Sequence, residues 1–534
     1  MCAVGVKLFR LTVAFIPFFP QQLISQLLTA PEAKSSIFSR STSALSILKK
    51  LAGQTAIYGL PTIIGRLLNY LLVPLYTIDN FSRAEYGTVN EMYAYVSFLN
   101  IILTYGMETA LFNFSVQAQN KNKVYGTILT SVMTTSATFI ALLVIFSQPI
   151  ASVIRYPEHP EYIVWFALIL GMDAVTAIAF AKLREQNKAK TFAAIKLLNI
   201  LTNIFFNVFF LLFCRKVFAT PGSAFYPFVE KVYSPETGVG YVFISNLIAS
   251  AATLAVLAPS FFRMKMQFDF SLLKEMLPYS LPLLLAGLAG MTNETLDRIF
   301  LKYLLPENSA LESVGVYGAC YKLSLIMTIF IQAFRFAAEP FFFSHSVEKD
   351  ARKLYARVMN YFVIVCMGIF LLTMLFLPWL KYFIGKNFWE GLAVVPILLL
   401  ANFCLGVYFN LSVWYKLTNR TLFGAYISLG GAVVTIALNI ALIPVMGYMG
   451  SAWATLICYA LMMIASYIFG QRYYKVPYQP VKISIYAGFA VLLFVISAYV
   501  RSSFNISGGS LFGMNLTLLL LYGAVTWKME GQHR

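Results

Sequence analysis

The chain has 534 residues, of which 59% are hydrophobic, 16% aromatic and only 12% charged. A soluble domain carries roughly twice that share of charge, so composition alone excludes a water-soluble fold. Lys and Arg outnumber Asp and Glu by 40 to 22, a formal net charge of +18.

In chain order, the first forty residues place Lys7 and Arg10 before an apolar run over 11–19, with Leu28-Thr29-Ala30 after it. This pattern is superficially that of a signal peptide, but Pro17 and Pro20 interrupt the run. Residues 1–50 are therefore expected to form a cytoplasmic or interfacial leader. From there, segments of roughly 20 apolar residues, each long enough to cross a ~30 Å hydrocarbon layer as a helix, fall at 51–76, 89–112, 125–147, 162–183, 192–214 and 240–262. Residues 263–277 differ: Phe268, Phe270, Leu272, Leu273, Met276 and Leu277 alternate with Lys265, Asp269, Lys274 and Glu275, which predicts a helix lying in the membrane interface. Further spans follow at 278–301, 314–336, 356–380, 392–414, 422–445 and 450–470, then at 481–500 and 511–527. The prediction is an all-α polytopic membrane protein of about 14 transmembrane helices. An N-lobe covers 51–262, a linker 263–277, a C-lobe 278–475, and two extra helices with a tail 476–534. The longest loop, 215–239, contains Pro221, Gly222, Pro227, Pro235 and Gly238. It is a connection of turns, too short to hold an enzyme.

Charge position fixes an expected orientation. Of the 40 Lys and Arg residues, 26 fall in the terminal tails and on the loops of one side, and nine on the other. Positive residues stay inside, which predicts cytoplasmic termini and an even number of spans. The remaining five, Arg66, Lys196, Arg298, Lys322 and Arg335, lie within spans. The basic balance thus describes topology and a cationic interior, with no need for a nucleic-acid partner.

The spans also repeat. Shifted by 232 positions, Arg66 falls on Arg298, Leu72 on Leu304 and Pro74 on Pro306; shifted by 231, Tyr86-Gly87 falls on Tyr317-Gly318 and Glu108 on Glu339; shifted by 230, Lys123 and Tyr125 fall on Lys353 and Tyr355. Two membrane halves with buried ions at equivalent places are the pattern of a transporter.

The run Tyr279-Ser280-Leu281-Pro282, Ala286-Gly287-Leu288, Asn293-Glu294-Thr295-Leu296-Asp297-Arg298 and Tyr303-Leu304-Leu305-Pro306 resembles the start of the second lobe in Wzx-type polysaccharide flippases of the multidrug/oligosaccharidyl-lipid/polysaccharide (MOP) exporter superfamily. Tyr58-Gly59, Gly65-Arg66-Leu67-Leu68-Asn69-Tyr70 and Tyr86-Gly87 resemble the first lobe in the same way, and the likeness covers roughly 51–475. It implies two six-helix lobes around a V-shaped, MATE-like cavity that opens alternately to each side. The implied activity is movement of an undecaprenyl-pyrophosphate-linked oligosaccharide, an O-antigen or other surface polysaccharide repeat unit, from the cytoplasmic to the periplasmic leaflet of the inner membrane. The two extra helices depart from the twelve-helix core and keep a lipid II flippase as an alternative. A cation-coupled multidrug exporter is a rival within the same fold.

The chemistry can be argued from the residues alone. A pyrophosphate cannot cross hydrocarbon bare, and arginine stays protonated and offers a planar fork to phosphate oxygens. Arg66 and Arg298 are accordingly candidate substrate contacts, with Lys196, Lys322 and Arg335 widening the patch. The alternative is pairing with buried acids, since Asp297 adjoins Arg298 and Glu339 lies one helical turn from Arg335. Glu108, Asp173, Glu294, Asp297 and Glu339 are candidates for coupling to a proton or sodium ion. Charge balance is their other reading, and a gate is a further one for Glu108 and Glu339. Lipid-linked oligosaccharide, membrane lipids and polysaccharide assembly proteins are the partners implied. No cofactor is expected: the six cysteines and three histidines are scattered without metal spacing, and there is no nucleotide-binding loop. An enzyme is not expected either, because a membrane glycosyltransferase or polymerase would carry catalytic carboxylates on a large loop, and 215–239 holds only Glu230 and Glu236.

Overall fold

The computed structural model describes residues 63–117, 120–262, 267–346, 348, 350–504 and 506–531. The leader expected over 1–50 and the first part of the first span, 51–62, lie outside the described residues. Among those described, the ordered elements are all helices. They are α1 (Ile63–Thr77), α2 (Arg83–Val116), α3 (Lys121–Ile145), α4 (Pro160–Glu185) and α5 (Ala189–Phe218). Next come α6 (Gly240–Phe262), α7 (Phe270–Leu304), α8 in two pieces (Glu307–Leu323 and Leu325–Ser344) and α9 (Ala351–Leu375). The chain continues with α10 (Val394–Leu411), α11 (Leu422–Met446), α12 (Tyr448–Tyr473), α13 (Pro480–Phe504) and α14 (Gly508–Gly531). Thirteen helices of the described residues are long and apolar enough to cross a membrane, and α1 is the described part of the first span. The chain is an all-α polytopic membrane protein.

Local chemistry sets where these helices start and bend. Ser82 and Glu85 close a reciprocal capping box on α2, Glu85 N donating to Ser82 Oγ at 3.2 Å and Ser82 N to Glu85 Oε2 at 2.7 Å, so two orphan amides are satisfied at once. The helix breaks at Tyr105-Gly106, where Gly106 takes φ +74 and a Cβ would stand 2.7 Å from the Ser280 carbonyl of α7. Only glycine meets both conditions cheaply.

The longest helix, α7, begins at a cap in which Asp269 Oδ1 accepts from Ser271 N at 2.8 Å and Leu272 N at 3.2 Å. It then runs 35 residues through Pro278 and Pro282 without ending. This corrects the separate interfacial helix expected over 263–277: its described part from Phe270 onward is the first two turns of α7. At 1.5 Å per residue α7 is ~52 Å long, well beyond a ~30 Å hydrocarbon layer, which accounts for the charged Lys274 and Glu275 near its start.

Packing distinguishes the two ends of the bundle. Near the end holding Arg83, one continuous apolar core runs through both halves, from Leu72, Tyr86 and Phe243 to Val316, Phe388 and Leu398. Toward the end holding Lys123 the core divides. Met107, Tyr125, Ile128 and Phe180 form one cluster in the N-lobe, and Phe342, Tyr355 and Val413 another in the C-lobe. The lobes share one apolar core near the Arg83 end, whereas nearer the Lys123 end each lobe has its own apolar cluster, and α7 packs against both halves. Helices α13 and α14 dock on α9, with Asn515 Nδ2 donating to the Leu375 carbonyl at 2.6 Å and Ser497 Oγ to Asn515 Oδ1 at 2.7 Å.

Candidate functional site

The lobes meet where α2 and α8 touch backbone to backbone. A Cβ on Gly87 would collide with the Leu311 carbonyl, one on Gly315 with the Arg83 carbonyl, and one on Gly318 would stand 2.6 Å from the Asn90 side chain. Small residues allow this approach in a membrane, where interhelical affinity comes from close packing rather than from exclusion of water. Tyr86-Gly87 and Tyr317-Gly318, equivalent in the repeat, both lie at this crossing.

Beside it stands a cluster of cations. Arg298 of α7 has a side chain 11% exposed; its Nη1 donates to Asp297 Oδ1 at 3.2 Å and to the Glu294 carbonyl at 2.9 Å, and the guanidinium lies 4.8 Å from the Tyr321 ring centre. Asp297 is pinned from its other side by the Tyr317 hydroxyl, which donates to Oδ2 at 2.6 Å. The charges of Arg298 on α7 and Arg66 on α1 both act on the Lys322 ammonium of α8, so Lys322 lies within electrostatic reach of two of the other predicted cations. Arg66 is exposed. Neither Arg66 nor Lys322 joins an ion pair among the described residues. Glu294 is exposed, one turn before Arg298. Three cations thus face two carboxylates, one of them already committed to Tyr317 and Arg298.

The other predicted residues lie elsewhere. Lys196 sits 4.2 Å over the Phe180 ring within the N-lobe, under the influence of Asp173 and Glu108, and Asp173 Oδ1 accepts from Ser250 Oγ at 2.7 Å. Arg335 lies 4.0 Å over the Phe409 ring in the C-lobe. Its suggested partner Glu339 pairs instead with Lys416, as Glu108 pairs with Arg184 at 2.7 Å. These two pairs are equivalents, Glu108 and Glu339 in the 231 register and Arg184 and Lys416 in the 232 register. Each holds a lobe together internally and neither bridges the lobes.

Sequence reasoning missed those that do: Arg83 of α2 pairs with Glu390 of the C-lobe at 2.9 Å, Gly385 N donates to Thr77 Oγ1 at 3.2 Å, and a buried ion pair lies deeper. Lys302, expected on a loop, is the last buried cation of α7: its Nζ lies 2.8 Å from Glu91 Oε2 of α2, the two side chains 3% and 0% exposed. Glu91 stands inside the predicted span 89–112, and an acid in an apolar run was the signal available.

Two further features carry less chemistry. Asn293 joins α7 to α11 and α12, its Oδ1 accepting from Thr435 Oγ1 at 2.9 Å and its backbone carbonyl from the Tyr459 hydroxyl at 2.9 Å, a neutral staple between packed helices. A cavity of about 300 Å³ lies between α2, α4 and α7, lined by apolar side chains such as Val96, Leu99, Phe166 and Ile299; such walls offer a sugar or a phosphate nothing to bind. Among the described residues no group of three or more His, Cys, Asp or Glu side chains could hold a metal.

Comparison with known proteins bears on this arrangement. Residues 81–220 match the family model described as polysaccharide biosynthesis protein. No curated protein matches the chain in sequence. Among solved structures, the lipid II flippase MurJ in an inward closed conformation is similar at a TM-score of 0.67 and 13% identity, covering 88% of this chain and 98% of that one. An inward-facing multidrug resistance MATE family transporter of the MOP superfamily is similar at 0.57 and 14% identity, covering 80% and 93%. A point mutant of the Vibrio cholerae MATE transporter VcmN gives 0.53 and 13% identity, covering 81% and 98%. The chain has the fold of the MOP exporters, as the resemblance over 279–306 implied.

Proposed function

We propose that this chain is an inner-membrane flippase that moves an undecaprenyl-pyrophosphate-linked oligosaccharide from the cytoplasmic to the periplasmic leaflet by alternating access, making and breaking no bond. The observation that carries this reading is the electrostatic reach of Lys322 to both Arg66 and Arg298, cations of three helices beside the lobe seam. A lipid pyrophosphate brings roughly two negative charges that need such a site to pass hydrocarbon, and guanidinium forks suit phosphate oxygens. A cationic drug would be repelled there. The charge distribution supports a cytoplasmic Lys123 end, and on that side, from which the substrate would come, the two lobes have separate apolar clusters. Asp297 then has a positioning role, holding Arg298 between Tyr317 and the cleft.

The test is translocation of a fluorescent lipid-pyrophosphate oligosaccharide by purified protein in liposomes, with lipid II and a cationic dye as parallel substrates. Arg66→Ala and Arg298→Ala are each expected to insert normally and lose most transport, a charge-assisted hydrogen bond contributing about 1.5–3 kcal/mol or roughly ten- to a hundred-fold. Arg→Lys is expected to be milder because charge survives. Movement of lipid II alone would change the substrate within the same chemistry, and dye efflux with no lipid movement would make the chain a multidrug exporter.

A further inference from the structure

The loop 215–239, read from the sequence as a connection of turns, holds a short helix, Tyr226–Val232, whose surface divides three ways. Val229 is sealed in the core of the N-lobe, and Tyr226 and Tyr233 pack beside it on Phe218, ring centres 5.9 and 5.6 Å away. Glu230 and Lys231 are exposed on a second side. Phe225, Phe228 and Val232 make a third side that is apolar and yet 59%, 53% and 40% exposed. Their spacing places them within an arc of ~60° around the helix axis, so they form one patch. An apolar patch left open in this way marks a contact surface.

The patch continues a surface that already faces hydrocarbon. Every exposed residue of α5 from Leu198 to Phe213 is apolar, which is the face a span shows to lipid. Phe205, Phe209 and Phe213 stack in a ladder beside that face, ring centres 6.2 and 5.6 Å apart. Phe225 then stands edge-on to Phe213 at 5.8 Å, so the ladder passes from the span onto the loop. Depth agrees with this. Lys190 and Arg215 frame the stretch 191–214, which rises ~36 Å as a helix, enough for a ~30 Å hydrocarbon layer and part of each boundary. Phe213 therefore lies at the boundary, Phe225 lies level with it, and Arg215 and Lys216 fall among the headgroups.

We propose that Phe225, Phe228 and Val232 form a lipid-docking surface. The helix Tyr226–Val232 lies in the interface of the leaflet at the Arg83 end, with these three side chains among the acyl chains and Glu230 and Lys231 toward water. The occupant is lipid because the patch is continuous with the lipid-facing ladder of α5, and because three side chains are too few to hold a second copy of the chain. The docked helix also grips α1. Arg215 Nη1 donates to the Asp79 carbonyl at 2.9 Å and to the Asn80 side chain, and the Tyr76 hydroxyl donates to Asn207 Oδ1 of α5 at 2.8 Å. The outer end of the helix that carries Arg66 is thereby held at headgroup depth, whatever the protein transports.

The test measures depth and needs no substrate. Phe225→Cys, Phe228→Cys, Glu230→Cys, Lys231→Cys and Val232→Cys are made one at a time in the full chain with Cys2 replaced; Cys214, Cys320, Cys366, Cys404 and Cys458 are buried. Each variant is spin-labelled in phospholipid nanodiscs, and collisions with oxygen, which concentrates in lipid, are compared with collisions with a water-soluble nickel chelate. The oxygen-to-nickel ratio is expected to be several-fold higher at 225, 228 and 232 than at 230 and 231. Adding Phe225→Ser/Phe228→Ser should bring the ratio of the label at 232 down to that at 230, and Phe225→Leu/Phe228→Leu should preserve it. Equal ratios at all five positions, or a ratio at 232 that survives the serine pair, overturn the proposal. Labels at 228 that broaden one another in liposomes would place a second copy on the patch and overturn it as well. Failure of the flippase reading would appear separately, as absence of lipid translocation.

Discussion

Helix α7 is tied to the N-lobe at both of its ends by an ion pair, and the two pairs differ in almost everything but their chemistry. At its start Asp269 meets Lys123 at 2.6 Å, the side chains 25% and 46% exposed. The same carboxylate caps the helix, and the Lys123 ammonium, ahead of the backbone amides, holds its pKa below the usual range. Near its other end Lys302 meets Glu91 with both side chains sealed. Water and salt already surround the first pair, so separating it changes little. The second must be dismantled in an apolar seam, where neither charge can be left alone. The exposed pair orients a helix, and the buried pair behaves as a latch.

Removing one member of the latch should have the largest effect. Lys302→Met leaves Glu91 buried and unpaired and is expected to cost about 3–5 kcal/mol, read as a clear loss of thermal stability in detergent, whereas Glu91→Gln/Lys302→Met should recover most of it. If the single and double variants melt together, the pair is not the latch. Next comes the glycine contact beside it. Gly87→Val drives a branched side chain into the Leu311 carbonyl and is expected to cost about 1–3 kcal/mol or more, read as a lower melting temperature in detergent; unchanged stability would mean the lobes do not close on this crossing.

The exposed pair should give the smallest effects and different signatures. Lys123→Ala is expected to lower thermal stability slightly at low salt and not measurably at high salt, while Lys302→Met should be insensitive to salt. The Asp269 carboxyl is depressed in the folded state, so its contribution is complete above the ordinary carboxylate pKa and is lost as pH falls through the folded value. The difference in melting temperature between the parent and Asp269→Asn should therefore be present at neutral pH and vanish in acid. A difference that grows in acid would reverse that sign.

The two halves of the repeat diverge in an equally instructive way. In the 232 register the position equivalent to Asp297 is Gly65, and in the 231 register Glu91 is equivalent to Lys322. One half therefore pairs its arginine and leaves a lysine in the cation cluster, and the other leaves its arginine exposed and spends its acid on the latch. On the proposed reading, these charge differences at equivalent positions divide the cation cluster from the seam between the lobes.

The helical spans and the presence of Arg66 and Arg298 within them were legible from sequence, because an apolar run long enough to cross a bilayer and a charge within it are local properties that hydrocarbon enforces wherever the helix ends up. Partners were not local. The adjacency of Asp297 and Arg298 could be read directly, but Glu339 took Lys416 instead of Arg335, and Glu91 took Lys302 from 211 positions away. The end of a span is also blurred by a few residues, so Lys302, one position beyond the expected end of its span, read as a loop cation. Which acid meets which base, and whether that meeting is sealed or wet, depends on how α2, α7 and α8 cross, and glycines that bring backbones together fix that crossing only once the two lobes are packed.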